Sequence, residues 1–224
     1  MNKILKRLKP ARVSRVRGHK KTFLKFADKI GFVYFGFVDQ REDEHKLVRG
    51  MSLSLSHTDN HYTIGTFHGY DMTLVERSDI IKQPDTLPVE KNWVIATVDL
   101  RTKLDLPHIY ISHANEPAPF NRYVMTKFPY LQKLYPGSVA PFAPEFLTHY
   151  ALYAAPTYGI YVEQLLGGEI QKQLFHHFGD LSFEVMGSVL YVYSENKQLS
   201  DALLSHMVQC GVWLATEIDR HSQN

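Results

Sequence analysis

Cysteine is almost missing from this chain: Cys210 stands alone and has no partner for an internal disulfide, which excludes a small secreted fold held together by such bridges. Its neighbours put it on the apolar stripe of a helix, where a lone thiol behaves as an inert small hydrophobe. Long apolar runs are also missing. The longest, Gly31 to Val38, is eight residues, whereas a helix crossing a hydrocarbon core needs roughly 20. No spanning helix is therefore expected. The N-terminus is basic like the start of a signal peptide, but no apolar stretch of about 7 to 15 residues follows it, so export by that route is not expected. The sequence lacks a Walker-type phosphate loop, a G-x-S-x-G nucleophile turn, an H-E-x-x-H helix and a dinucleotide-binding G-x-G-x-x-G. No catalytic residue and no cofactor is assigned, and whether the protein is an enzyme stays open, with the negative answer favoured.

What is present is an ordinary globular composition with an extraordinary distribution of charge. Hydrophobic residues make up 44% and charged residues 21% of 224, which suits one domain folding in water. The net charge of +2 conceals a sharp asymmetry. Residues 1–29 hold eleven bases, Lys3, Lys6, Arg7, Lys9, Arg12, Arg15, Arg17, Lys20, Lys21, Lys25 and Lys29, against the single acid Asp28. That segment carries +10, and the remainder, with 14 bases and 22 acids, carries −8. We therefore divide the chain into a basic N-terminal arm, 1–30, and a single domain, 31–224. Such segregation points to an anionic partner for the arm.

The spacing of Ile4, Leu5 and Leu8, and of Phe23, Leu24, Ala27 and Ile30, predicts two short basic amphipathic helices, with a flexible link from Pro10 to Gly18 between them. Strands are expected at Phe32 to Val38, Leu47 to Ser56, Tyr62 to Val75, Trp93 to Leu100 and His108 to Ser112, with a hairpin turn at Thr58-Asp59-Asn60. Gly65 and Gly69 should mark a bulge or a close backbone approach. Residues 114–145 hold six of the eleven prolines and many aromatics. They read as an irregular connection covering the core, with one short helix near Arg122 to Phe128. The last third predicts a strand Phe146 to Ala154, a helix Ile160 to Phe178 divided near Gly167-Gly168 and ended by Gly179 in the left-handed region, a hairpin Leu181 to Ser194 turning at Gly187, and a helix Ser200 to Arg220. The expected class is α+β, with a mostly antiparallel sheet of about seven or eight strands and a strand-helix-hairpin-helix C-terminal third.

Two groups of side chains are candidates for chemistry. His57, Asp59, His61 and His68 combine imidazole with carboxylate in a short span and are a candidate zinc-like metal set. The competing reading is that they are turn residues in water. His176 and His177 adjoin a helix C-terminus and read as complements of the helix dipole. Glu163, Glu169 and Glu184 lie in regular elements, but the sequence gives no reason to pair any two in one cleft.

The stretches Gly65 to Asp71, Leu106 to Ile111, and Phe183-Glu184-Val185 through Leu190 to Tyr193 resemble uncharacterised bacterial families of unknown function, some of them membrane-associated. The resemblance implies no activity and no site residue. On the charge asymmetry we expect a non-catalytic binding or scaffold protein of the cytoplasm that docks peripherally on the anionic inner face of a membrane. The arm's Lys3, Lys6, Arg7, Lys9, Arg12, Arg15, Arg17, Lys20, Lys21 and Lys25 would meet the anion. The acidic body would meet an unidentified protein partner. The alternatives are an enzyme with a pocket under 114–145, metal-dependent through the His57 group, and a nucleic-acid accessory protein. A solvated tail is the plain reading of the arm. Against nucleic acid, the arm has no aromatic before Phe23 and the body is acidic.

Overall fold

The computed structural model describes residues 9–37, 58–81, 89–113, 128–135, 137, 142–195 and 198–222, with backbone alone for 9–17, 79–81 and 89–90. The expected strand Leu47 to Ser56, nearly all of the helix near Arg122 to Phe128, and the candidate residues Lys3, Lys6, Arg7 and His57 lie outside the described residues. The chain runs α1 (Lys9–Ile30), β1 (Val33–Gly36), β2 (Thr58–Phe67), β3 (Tyr70–Ile81), β4 (Val89–Asp99), β5 (Leu106–His113), β6 (Gln132–Lys133), α2 (Pro144–His149), β7 (Tyr150–Ala154), α3 (Gly159–Leu165), α4 (Gly168–Phe178), β8 (Ser182–Gly187), β9 (Val189–Glu195) and α5 (Asp201–Ser222). The class is α+β as expected, with nine strands among the described residues rather than seven or eight.

Pro10 does not break the first element, and the expected link from Pro10 to Gly18 is helical. Proline is tolerated in a first helical turn because the N–H it lacks has no intrahelical acceptor there. The helix ends where the sequence indicated. Gly31 takes φ 79° and the Phe32 N–H donates to the Ala27 carbonyl at 2.9 Å, a Schellman closure that satisfies an orphan carbonyl. Phe23, Phe26 and Ala27 are buried in the core, so the last turns of the basic helix are built into the domain.

The first hairpin turns at a different place from the one its composition indicated. Thr58, Asp59 and Asn60 are inside β2, opposite Ser78, Arg77 and Glu76. The turn lies at His68-Gly69, both at positive φ, 48° and 77°, the signature of a two-residue type I′ loop. Gly65 fulfils its expectation of a close approach: a Cβ there would stand 2.3 Å from the Phe32 ring. The expected strand from Phe146 begins only at Tyr150, because Pro144 opens a short helix instead. Gly179 is in the right-handed region at φ −63°. Its reason is space, since a Cβ would meet His149 Nε2 at 2.8 Å and the Phe175 carbonyl at 3.0 Å. The division of Ile160 to Phe178 at Gly167 and the hairpin turn at Gly187 are found where expected.

All strand pairs are antiparallel, in the order β1-β2-β3-β4-β9-β8-β5-β7-β6. Side chains alternate between the two faces. One face carries Met72, Leu74, Val94, Ala96, Val98, Ile109, Ile111, Phe183, Val185, Leu190 and Val192, and every described helix buries apolar side chains against it. Gly211 lets α5 lie close, with the position of an added Cβ 2.9 Å from Val98. The second face holds a separate cluster around Tyr62, Trp93, Ile95, Tyr110, Tyr153, Tyr191 and Tyr193, on which Phe128 and Leu131 pack. Leu131 and Phe142 of the proline-rich connection are buried, whereas its Tyr130 and Tyr135 are exposed. That segment both covers the core and presents aromatic surface.

Candidate functional site

Helix α1 lies over β1 and β2 at one edge of the sheet. Phe23, Phe26 and Ala27 turn inward, while Lys20, Lys21, Lys25 and Lys29 are exposed. Lys21 and Lys25 project from the side opposite the buried stripe, as a rotation of 100° per residue requires. Lys29 reaches Asp201 at the start of α5, 2.8 Å away, an exposed pair of small energetic weight. Among the described residues Lys20, Lys21 and Lys25 have no ion pair. Lys9, Arg12, Arg15 and Arg17 belong to the same helix, described by backbone only.

Strand β1 follows α1 directly and forms the outer edge of the described sheet. Val33, Phe35 and Phe37 are 58%, 57% and 64% exposed. The intervening Tyr34 turns toward the helices, and its hydroxyl meets His61 Nδ1 at 2.8 Å. The pairing slips between Tyr34 and Gly36, leaving Phe35 as a bulge.

Of the candidate metal ligands, the described Asp59, His61 and His68 do not converge on one point. Asn60 faces Glu76 and Thr63 faces Leu74, so His61 and Tyr62 share one position, a bulge that sends their side chains to opposite faces. Asp59, on the second face, is bonded to buried Arg77 through Nε at 2.7 Å and Nη2 at 2.6 Å, and accepts from the Tyr62 hydroxyl at 3.0 Å. His61, on the helix face, stacks on Phe23 with ring centres 5.3 Å apart. Its Nε2 is 3.6 Å from Glu76, whose other oxygen meets His19 Nδ1 at 2.8 Å. Burial holds His61 below the usual imidazole range, Glu76 opposing this, His19 and Lys20 adding to it. His68 sits at the hairpin tip, at the far end of β2 from Asp59. Among the described residues no three His, Cys, Asp or Glu side chains are grouped to hold a metal ion.

A further buried polar group was not singled out as a set by the sequence. Glu184, fully buried on β8, accepts a short hydrogen bond from the Tyr193 hydroxyl of β9. His108 Nε2 on β5 lies 2.6 Å from its other oxygen, and His108 Nδ1 is 2.8 Å from the Tyr130 hydroxyl. Phe128 packs edge-on to the His108 ring at 4.8 Å. The chain Tyr193–Glu184–His108–Tyr130 thus runs from the second-face core to an exposed phenol. Burial and the Glu184 charge push the Tyr130 phenol up, which suits a hydrogen-bond donor more than a nucleophile. An apolar cavity between the sheet and α3, α4 and α5 touches Glu184, but strand alternation turns the carboxylate to the other face. The sequence showed Glu184 as a carboxylate in a strand; its partners Tyr193 and His108, 9 and 76 positions away, and His108's partner Tyr130 carried no local signal.

No helix among the described residues is long and apolar enough to cross a membrane. No family model matches the sequence, and no curated protein matches it significantly. In three dimensions the chain is similar to the crystal structure of the mycobacterial trehalose monomycolate transport factor A, with a TM-score of 0.58 at 11% identity, over 92% of this chain and 94% of that one. At that identity the likeness establishes a shared fold.

Proposed function

We propose that this protein is a non-catalytic, lipid-associated binding module that docks peripherally on an anionic membrane through the basic outer side of α1. The observation that carries the reading is the exposure of Lys20, Lys21 and Lys25 without an ion pair among the described residues. A cationic helix face that has no counter-charge among the described residues can meet an external polyanion. Near an anionic bilayer each Lys or Arg contributes on the order of 1 kcal/mol, enough for several together to give reversible attachment. The fold shared with a protein named as a trehalose monomycolate transport factor supports a lipid-related rather than a nucleic-acid role. The net charge of −8 over residues 30–224 supports the same choice, because phosphate backbones would be repelled outside the arm.

The test is sedimentation with vesicles of mixed phosphatidylglycerol and phosphatidylcholine against phosphatidylcholine alone. The comparison is between the full chain and a Lys20→Glu, Lys21→Glu, Lys25→Glu variant. Three reversals should weaken binding to the anionic vesicles by at least about 100-fold while leaving the unfolding midpoint nearly unchanged, since all three side chains are exposed. Equal binding by both proteins would refute the reading.

A further inference from the structure

We propose that His113 and His149 form an acid-labile clasp that holds α2 and α4 on the sheet, so that acidification releases these two helices locally while the sheet stays folded. Five of the twelve histidines meet at this end of the molecule. The His113 ring, at the end of β5, packs edge-on to the His149 ring, at the end of α2, with centres 4.7 Å apart. His149 Nε2–H donates to the Gly179 carbonyl at 2.6 Å, and its ring meets Phe175 of α4 at 5.3 Å. The Tyr150 hydroxyl donates to the Phe178 carbonyl at 2.8 Å. Side chains from outside α4 thus hold the carbonyls that its own end leaves without partners. His176 and His177 stand in its last turn, and His206 of α5 packs on Phe178 and lies 3.3 Å from Asp180.

The local balance of charge sets the direction. Burial keeps the Tyr150 phenol and the Cys210 thiol of α5 neutral by pushing both up. Among the described residues the carboxylates here are Asp180, already beside His206, and the exposed Glu145 one turn before His149; Lys172, one turn before His176, adds a cation. Neutral imidazoles suit this packing, whereas protonation sets cations ring against ring. Burial first, and then the His149 ring, hold the His113 imidazole below its usual range, with Asp180 and a hydrogen bond to the Gly179 backbone opposing. The opened clasp therefore binds a proton more readily than the closed one. Closure is complete above about pH 6.5 and is lost as the pH falls through the window below it. Both helices are short, they pack on one another, and the chain breaks at Gly167 before α4, features of a unit that opens at lower free energy than a sheet. They carry the buried Phe146, Ile170 and Leu174, so their release bares apolar surface at this end of the domain.

Hydrogen exchange on the full chain, read as protection factors in a series of low urea concentrations at pH 7.5 and 5.5, tests the clasp. At pH 5.5 the amides of Leu174 to Phe178 should be at least about tenfold less protected than those of β4 and β9 and nearly insensitive to urea, as a local opening requires. At pH 7.5 their protection should rise by at least about tenfold. In a His113→Gln, His149→Gln chain that rise should disappear. If these amides share the protection and the urea slope of the sheet at both pH values, the helices open only with the whole domain and the clasp is overturned. It is equally overturned if the double variant keeps the response to pH. Should that variant fail to fold, exchange in the unsubstituted chain decides alone.

Discussion

Glu184 is held between two donors from different strands, and removing one of them isolates what the pair is worth. Tyr193→Phe keeps the ring in its cluster and deletes only the hydroxyl. A buried carboxylate that loses one hydrogen bond should cost about 1.5–3 kcal/mol, read as a lower urea midpoint at unchanged slope. His113 gives a second prediction at this scale. Burial, with His149 close by, holds its imidazole below the usual range, so the unfolded chain binds the proton more readily than the native one. Stability is therefore complete above about pH 6.5 and declines as the pH falls through the window below it. His61 contributes with the same sign. Urea titrations across pH 7.5 to 5 should show that decline, and His113→Asn should flatten it. Such residues are poorly legible in a sequence because a buried network is assembled from distant positions: Glu184, His108 and Tyr130 meet only once β8 and β5 have paired.

Periodicity made the elements largely readable, and the exceptions have local causes. The terminal helix α5 buries Leu204, Met207, Cys210, Leu214 and Ile218, as helical spacing requires. The turn at His68-Gly69 was obscured by Thr58-Asp59-Asn60, whose turn-like composition reflects instead a buried ion pair of Asp59 with Arg77. Composition alone does not separate an aspartate that closes a loop from one that neutralises an arginine. Gly65 is where an element-scale prediction is sharpest. Because Phe32 is itself buried, its ring has little room to yield to a Cβ placed 2.3 Å away. Gly65→Ala should therefore cost about 1–3 kcal/mol through overpacking, measurable by thermal unfolding, and Phe32→Leu in the same chain should recover part of it.

At the scale of the whole molecule, α1 is both a cationic surface and a structural member, two roles that a sequence division at residue 30 separates. Charge patterning revealed the first; the second depends on Phe23, Phe26 and Ala27 meeting β1, β2 and α5, contacts that no local pattern specifies. Phe26→Ala should cost about 3–5 kcal/mol, and a chain beginning at Ile30 should lose its cooperative unfolding transition. That outcome dictates charge reversal instead of truncation for any binding study. The strand order carries one more consequence, for synthesis. The β8–β9 hairpin is inserted between β4 and β5, so a nascent chain on the ribosome has its first four strands ready long before residues 182–195 emerge to join them to the rest. Throughout that interval one flank of β4 waits without its partner, and shielding by a chaperone or by quick elongation becomes a condition of a good yield.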